Sequence, residues 1–161
     1  MQLTSYETAS EMMQSLSAQI ASELSAAIAL RGRACLAVPG GSTPGPLFDL
    51  LSQAVLDWAH VTVMLTDERW VPTDSPRSNG GLIKNRLLVN SASAARYIAL
   101  YAPGLDHVGG ARALSQQVAP NLPIDVVVLG MGADMHTASL FPGAPELSLA
   151  QDARADAVMP M

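Results

Sequence analysis

Three polar segments of the sequence carry side chains that can bind an anion or move a proton. They are residues 40–44, 67–69 and 132–136, and each directly follows an apolar run of strand type. In open parallel sheets, ligands bind outside the carboxyl ends of the strands. We therefore expect these segments to converge on one crevice, although they lie far apart in the sequence.

The first segment, Gly40, Gly41, Ser42, Thr43 and Pro44, has the composition of an anion-binding turn. Two glycines let the backbone approach a ligand closely, and the two hydroxyls add donors. We expect Thr43 to cap the following helix and Pro44 to occupy its first position, so that free N–H groups at the helix start favour phosphate. The segment matches neither a Walker loop nor a nucleophile elbow. An ordinary tight turn is the alternative interpretation.

The second segment places a fixed positive charge among carboxylates at the end of a strand. Arg69 follows Asp67 and Glu68 directly. A guanidinium at this position can bind phosphate or stabilise a developing oxyanion. The alternative is a solvated ion pair at the start of a loop.

The third segment contains a candidate general base. Asp134 and His136 are two residues apart in a segment expected to be extended, so their side chains can point the same way. A histidine titrates near neutral pH, and a neighbouring carboxylate can set its tautomer. Met135 stands where a dinucleotide fingerprint has its third glycine, which disfavours a nicotinamide cofactor. We interpret His60 and His107 as ordinary surface histidines, and no metal-ligand spacing is present.

The elements that must position these segments alternate between apolar strands and helices. This pattern predicts an α/β, Rossmann-like domain with a mostly parallel sheet and helices on both faces. The predicted strands are 34–38, 61–65, 97–101 and 125–129, the last being the clearest buried strand. The first predicted helix is 6–31, with a capping box at Thr8 and a stop at Gly32. A second helix is predicted to start at Pro44. Two more are predicted at 82–87, after a polar turn at 75–81, and at 109–118.

Composition and charge limit the class of protein. The 161 residues have the length of one domain. Hydrophobic residues make up 49% of the chain and charged residues 14%, and the mean hydropathy is +0.24; this composition excludes disorder. A net charge of −5 makes nucleic acid and anionic membranes poor partners. Cys35 is the only cysteine, so no intramolecular disulfide can form. The N-terminal residues lack the pattern of a signal peptide and no apolar run approaches a membrane span, so we expect a cytoplasmic protein.

Three motifs occur in an order and spacing that match a known family over essentially the whole chain. The motifs are Pro-Gly-Gly-Ser-Thr-Pro at 39–44, Asp-Glu-Arg-Trp-Val-Pro at 67–72 with Ser-Asn-Gly-Gly at 78–81, and Leu-Gly-Met-Gly-Ala-Asp-Met-His-Thr-Ala-Ser-Leu-Phe-Pro-Gly at 129–143. Together they resemble the 6-phosphogluconolactonase family. The resemblance implies a modified Rossmann sheet, shared with glucosamine-6-phosphate deaminase.

The resemblance also implies an activity and a set of site residues. The activity is hydrolysis of 6-phospho-D-glucono-1,5-lactone to 6-phosphogluconate in the oxidative pentose phosphate pathway, without metal or cofactor. In this pattern His136 activates water, Asp134 supports it, and Arg69 holds the substrate or its tetrahedral oxyanion. The residues implied to bind substrate, chiefly its phosphate, are Gly40, Gly41, Ser42, Thr43, Asp67 and Asn79.

Two departures from the family pattern leave alternatives open. Met135 stands where the family usually has glycine, and the chain ends at Met161, before the family's C-terminal strands. We therefore expect residues 1–161 to form a single domain of this kind that is truncated relative to the family. A non-catalytic sugar-phosphate binder is one alternative. Glucosamine-6-phosphate deaminase is less favoured, because its histidine motif continues Ile-Ala-Phe-Asn-Glu-Pro and this chain has Thr-Ala-Ser-Leu-Phe-Pro at 137–142.

Overall fold

The computed structural model describes residues 2–161, which contain five α-helices and four β-strands. The helices are α1 (Ala9–Arg31), α2 (Gly45–Ser52), α3 (Asn79–Arg86), α4 (His107–Val118) and α5 (Leu147–Ala150). The strands are β1 (Ala34–Val38), β2 (Val61–Leu65), β3 (Arg96–Ile98) and β4 (Val126–Val127). Short 3-10 turns lie at Trp58–His60, Asn90–Ala94 and Ala119–Asn121.

The four strands form one parallel sheet in the order β3-β2-β1-β4. All five residues of β1 are buried. Because successive strand side chains point to opposite faces, both faces of the sheet are covered at β1, and the predicted α/β class is confirmed. Ala34 pairs with Val61 and Val38 with Leu65. The two central strands therefore end level, and the segments that follow them emerge side by side.

The first helix begins where its capping box fixes it. The Thr8 hydroxyl accepts a hydrogen bond from the Glu11 N–H at 3.1 Å, and the Glu11 carboxylate accepts one from the Thr8 N–H at 3.2 Å. Gly32 ends the helix at a φ of 71°. The predicted box and stop are confirmed. The predicted start at residue 6 is wrong, because the capping Thr8 itself is extended.

The core lies between the first two helices and the central strands. The largest fully buried side chains on these helices are Leu24, Phe48 and Leu51, each 0% exposed. Burying an apolar side chain of this size stabilises a fold by about 1.5–3 kcal/mol. Trp58 is 2% exposed, and its indole N–H donates to the Ala54 carbonyl at 3.1 Å. The β1 and β2 ends that carry the first two polar segments are therefore held by a well-packed layer.

The last strand differs from its prediction as a buried strand over 125–129. Only Val126 and Val127 pair as β4, flanked by hydrogen bonds from the N–H groups of Asp125 and Val128 to β1. Val127 is 47% exposed and Leu129 is 55% exposed. The prediction was wrong because β4 lies at the sheet edge, where one side has no neighbouring strand among the described residues.

Three further boundaries also shift. The strand expected at 97–101 is β3 at Arg96–Ile98. The helix expected at 109–118 is α4 at His107–Val118, which begins earlier because the Asp106 carboxylate accepts a capping hydrogen bond from the Gly109 N–H. The helix expected at 82–87 begins earlier, at Asn79. Within residues 2–161, no helix is both long and apolar enough to cross a membrane.

Candidate active site

The glycine turn after β1 leaves its backbone donors open. Gly41 has a φ of 87°, in the region that favours glycine, and the Gly45 N–H closes the turn on the Ser42 carbonyl at 3.2 Å. Ser42 and Thr43 are exposed. The N–H groups of Gly41, Ser42 and Thr43 have no hydrogen-bond partner in residues 2–161. The turn therefore offers three backbone donors at the start of α2.

The predicted cap of α2 is wrong. The N-cap is Pro44, and no side chain caps the helix. Pro44 has a φ of −78° and a ψ of −3° and precedes the helix as its N-cap. The first helical residue is therefore Gly45, one residue later than expected. The Thr43 hydroxyl is thus free of a capping role, which leaves it available to a ligand.

Asn79 joins the glycine turn to the segment after β2. Its side chain is 2% exposed and packs directly against Gly40, where an added Cβ would lie 1.8 Å from Asn79 Oδ1. Its Nδ2 donates to the Asp67 carbonyl at 3.0 Å. Its Oδ1 accepts from Arg69 Nη1 at 2.7 Å. The Asn79 amide is therefore bonded to the segment after β2 through both its nitrogen and its oxygen, and it packs against the glycine turn.

Arg69 is held by neutral acceptors and not by a carboxylate. Besides Asn79, its Nη1 donates to the Arg77 carbonyl at 3.1 Å. The side chain makes no ion pair within the described part of the chain, although Asp67 and Glu68 precede it. The alternative of a solvated ion pair is thus not what the structure shows. Its exposed guanidinium keeps Nε and Nη2 for an anion.

Glu68 is a residue that sequence reasoning did not include in the site. Its Oε1 accepts from the N–H groups of Arg69 and Asn79, each at 2.8 Å. Its Oε2 accepts from the Gly80 N–H at 2.7 Å and the Ser78 hydroxyl at 3.0 Å. The turn expected over 75–81 is wrong from Asn79 onward, because α3 begins there: the Ser78 hydroxyl caps it by accepting from the Gly81 N–H at 3.1 Å, and Glu68 binds the two N–H groups before that one. The available signal was Ser-Asn-Gly-Gly at 78–81, a capping serine followed by residues that allow close approach.

The structure brings Asp134 and His136 together. His136 Nδ1 lies 2.5 Å from Asp134 Oδ1. The segment is a tight turn and not extended as expected, since the Met135 N–H donates to the Gly132 carbonyl and the Gly132 N–H to the His136 carbonyl, each at 2.9 Å. The hydrogen bond from His136 holds the pKa of the Asp134 carboxyl below its usual 3.8.

Met135 occupies the turn with a left-handed backbone. Its φ is 69°, a conformation that costs a residue with a Cβ about 1–2 kcal/mol. Its side chain is 72% exposed, so it does not crowd the histidine. The His136 ring packs on Phe141 instead, with ring centroids 4.6 Å apart. The Phe141 ring thus covers part of the imidazole surface, although Phe141 is itself 45% exposed.

Ser139 connects the histidine turn to the segment after β2. Its hydroxyl donates to Asp67 Oδ2 at 2.9 Å. A groove of about 700 Å³ runs past Asp67 and Arg69 and is also lined by Thr137 and Ser139. Ser139 thus ties the chain just after the third polar segment to Asp67. The groove is lined by neither the glycine turn nor Asp134 nor His136, so the expected convergence of all three segments on one crevice is not what the structure shows. Across residues 2–161, no hydrogen bond or ion pair joins His136 to Arg69 or to the glycine turn.

Comparisons with known proteins identify the family of the chain. Residues 7–161 match the family described as glucosamine-6-phosphate isomerases/6-phosphogluconolactonase. The chain is 45% identical over 146 residues to a 6-phosphogluconolactonase of Pseudomonas aeruginosa, covering 90% of this chain and 61% of that protein. It is 46% identical over 148 residues to one of Rhizobium meliloti, covering 91% of this chain and 64% of that protein.

A solved structure gives the same result for the fold. The crystal structure of a 6-phosphogluconolactonase from Shewanella baltica superposes with a TM-score of 0.88 at 42% identity, covering 93% of this chain and 65% of that one. These proteins therefore share the α/β fold of this chain. The chain belongs to the glucosamine-6-phosphate isomerase/6-phosphogluconolactonase family, and it spans less than two thirds of the length of these relatives.

Proposed function

We propose that the chain carries a 6-phosphogluconolactonase site. In this proposal it hydrolyses 6-phospho-D-glucono-1,5-lactone to 6-phosphogluconate in the cytoplasm, as a step of the oxidative pentose phosphate pathway. The support is the identity of 45% and 46% to proteins of that name, together with the motifs at the three strand ends. The substrate phosphate and the reacting carbonyl then need separate positions in the site.

The phosphate position is assigned to the glycine turn, and one observation carries this assignment. The turn has three unpartnered backbone N–H groups in the described residues, whereas the first N–H groups of α3 are already bound by Glu68. A helix start with free N–H groups favours a phosphate. The Arg69 guanidinium lies one side chain away, across Asn79, and adds the positive charge.

The proton chemistry is assigned to His136. With Asp134 accepting the Nδ1 proton, Nε2 is free to take a proton from water. The resulting hydroxide attacks the lactone carbonyl and forms a tetrahedral intermediate. Breakdown of this intermediate cleaves the bond to the ring oxygen. The ring oxygen leaves as a hydroxyl with the proton from His136, and the carboxylic acid formed at the carbonyl carbon loses its own proton to solvent to give the product carboxylate.

Hydrolysis of freshly generated lactone tests this mechanism. We expect His136→Ala to lower the enzyme-catalysed rate about 10²–10⁴-fold, after subtraction of the spontaneous rate. The chain offers a matched control, because His60 Nδ1 lies 2.9 Å from Asp57 Oδ2 in a second pair of the same kind. His60→Ala should leave the rate unchanged. An equal rate in wild type and His136→Ala removes the histidine from the mechanism.

A non-catalytic sugar-phosphate binder is the second candidate. It is favoured by the absence, within residues 2–161, of a hydrogen bond between His136 and the anion-binding residues. Titration with 6-phosphogluconate beside the rate assay separates the two. Binding without acceleration over the enzyme-free reaction assigns the chain as a binder. Release of ammonia from glucosamine-6-phosphate would instead assign the deaminase activity.

A further inference from the structure

Glu68 makes more hydrogen bonds than its position beside Arg69 requires. Four donors converge on its carboxylate, at distances of 2.7 to 3.0 Å. Three of the four belong to the start of α3, and the fourth is the N–H of Arg69 itself. A half-buried carboxylate with all its lone-pair directions filled is fixed in place. The negative charge of Glu68 thus anchors one helix start to the end of β2.

The anchoring fixes the position of Asn79. The N–H of Asn79 is one of the donors to Glu68, and its neighbour Gly80 is another. An added Cβ at Gly80 would lie 3.0 Å from Glu68 Oε2 and 2.8 Å from the Tyr97 hydroxyl, so glycine is needed for this approach. The backbone that carries the Asn79 amide is therefore set by Glu68.

The Asn79 amide in turn fixes Arg69. It accepts from Arg69 Nη1 while it rests on the Cα of Gly40. Its 2% exposure leaves no room for another rotamer without displacement of the glycine turn. A shift of α3 away from Glu68 would therefore move the guanidinium relative to the anion-binding turn.

We propose that Glu68 is a positioning residue, which acts through the first turn of α3 and Asn79 to hold the Arg69 guanidinium beside the glycine turn. The residue that was expected to contact substrate, Asn79, then has the role of a spacer between cation and turn. The identity of the ligand in this proposal rests on the proposed function. The geometry that Glu68 sets is independent of that function and can be tested without substrate.

The test compares two carboxylates that cap helices. Glu68→Gln replaces one acceptor oxygen by an NH₂ group that faces donors bound to both oxygens of Glu68. Glu11→Gln makes the same chemical change outside the site, at the capping box of α1, where the carboxylate accepts only the Thr8 N–H and the remaining oxygen of Gln can keep that bond. Affinity for 6-phosphogluconate is measured by calorimetry. We expect Glu68→Gln to weaken binding about 10–100-fold, because the cation is misplaced, and Glu11→Gln to leave binding unchanged. Unchanged binding in folded Glu68→Gln overturns the proposal.

A double-mutant cycle separates positioning from a general loss of structure. If Glu68 acts through Arg69, Glu68→Gln has little further effect on binding once Arg69→Ala has removed the guanidinium. Equal fold losses in the presence and absence of Arg69 overturn the proposal. Should Glu68→Gln fail to fold, Asn79→Ala takes its place in the cycle, since it removes the spacer and leaves the helix cap intact.

A measurement without ligand distinguishes failure of this proposal from failure of the proposed function. The side-chain NMR signals of Asn79 Nδ2 and Arg69 Nε report the spacer and the cation directly. We expect both signals to shift in Glu68→Gln and neither to shift in Glu11→Gln. If wild type does not bind 6-phosphogluconate, the proposed function fails, and these signals still decide the role of Glu68. Signals identical to wild type in Glu68→Gln overturn it.

Discussion

The contact between Gly40 and Asn79 predicts a large and specific effect of a single methyl group. In Gly40→Ala the new Cβ would lie 1.8 Å from Oδ1, 2.0 Å from Cγ and 2.4 Å from Nδ2 of Asn79. Gly40 does not have a positive φ, so alanine is not strained by its backbone. The cost therefore comes from the amide, which must leave its site and lose its bonds to Asp67 and Arg69.

The magnitude follows from the interactions that are lost. Two hydrogen bonds contribute about 1 kcal/mol each, and overpacking that is only partly relieved costs about 1–3 kcal/mol. We expect Gly40→Ala to lower the free energy of unfolding by about 3–5 kcal/mol. In an Asn79→Ala background the obstructing amide is absent, so the same substitution should cost less than about 1 kcal/mol. The coupling energy between the two positions is then at least about 2 kcal/mol.

Urea unfolding of the wild type, the two single variants and the double variant gives this coupling directly. Gly130→Ala is the matched control, because a Cβ there meets no atom within 4 Å and the backbone φ is not positive. It should change stability by less than about 0.5 kcal/mol. If the costs of Gly40→Ala and Asn79→Ala simply add, the close approach does not limit residue 40 and the spacer role of Asn79 loses its basis.

Two further predictions concern backbone strain and pH. Met135→Gly should raise the free energy of unfolding by about 0.5–1 kcal/mol. Glycine removes the cost of a φ of 69°, and loss of the exposed methionine side chain gives up little packing. A lower stability of the variant in chemical denaturation contradicts this prediction. Burial raises the pKa of the Cys35 thiol from 9.0 to about 11. Between these two pH values the thiol is ionised in the unfolded chain and protonated in the folded one, so unfolding releases a proton. The free energy of unfolding therefore falls as the pH rises from 9 to about 11. Cys35→Ala should remove this part of the alkaline loss, and an identical pH profile would contradict the assignment.

The parts of the fold that the sequence predicts well are set by local signals. The bounds of β1 and β2 are as predicted, because each is an apolar run of five residues between polar or glycine-rich segments. The capping box at Thr8 and the stop at Gly32 are likewise short-range patterns. Asp134 and His136 meet because they are neighbours, and no long-range contact is needed to place them.

The parts that were missed depend on contacts between distant residues. The first two N–H groups of α3, those of Asn79 and Gly80, are bound by Glu68, which lies eleven residues before Asn79 in the sequence. The capping Ser78 is a local signal for this helix start, but the sequence does not show which acceptor binds the two N–H groups that follow it. The exposure of Val127 and Leu129 also depends on residues elsewhere in the chain. An apolar run is buried only if another strand or helix covers it. Local composition contains no information about either neighbour.

The charge of Arg69 illustrates the same point at the site itself. In the sequence, two carboxylates precede this arginine, and the pattern suggests an ion pair. In the fold, Asp67 accepts from Ser139, which follows the 132–136 turn, and Glu68 accepts from the start of α3. Each carboxylate is therefore bound to a different part of the chain, and neither pairs with the guanidinium. Because the two acids are bound elsewhere, the positive charge of Arg69 has no carboxylate partner within residues 2–161.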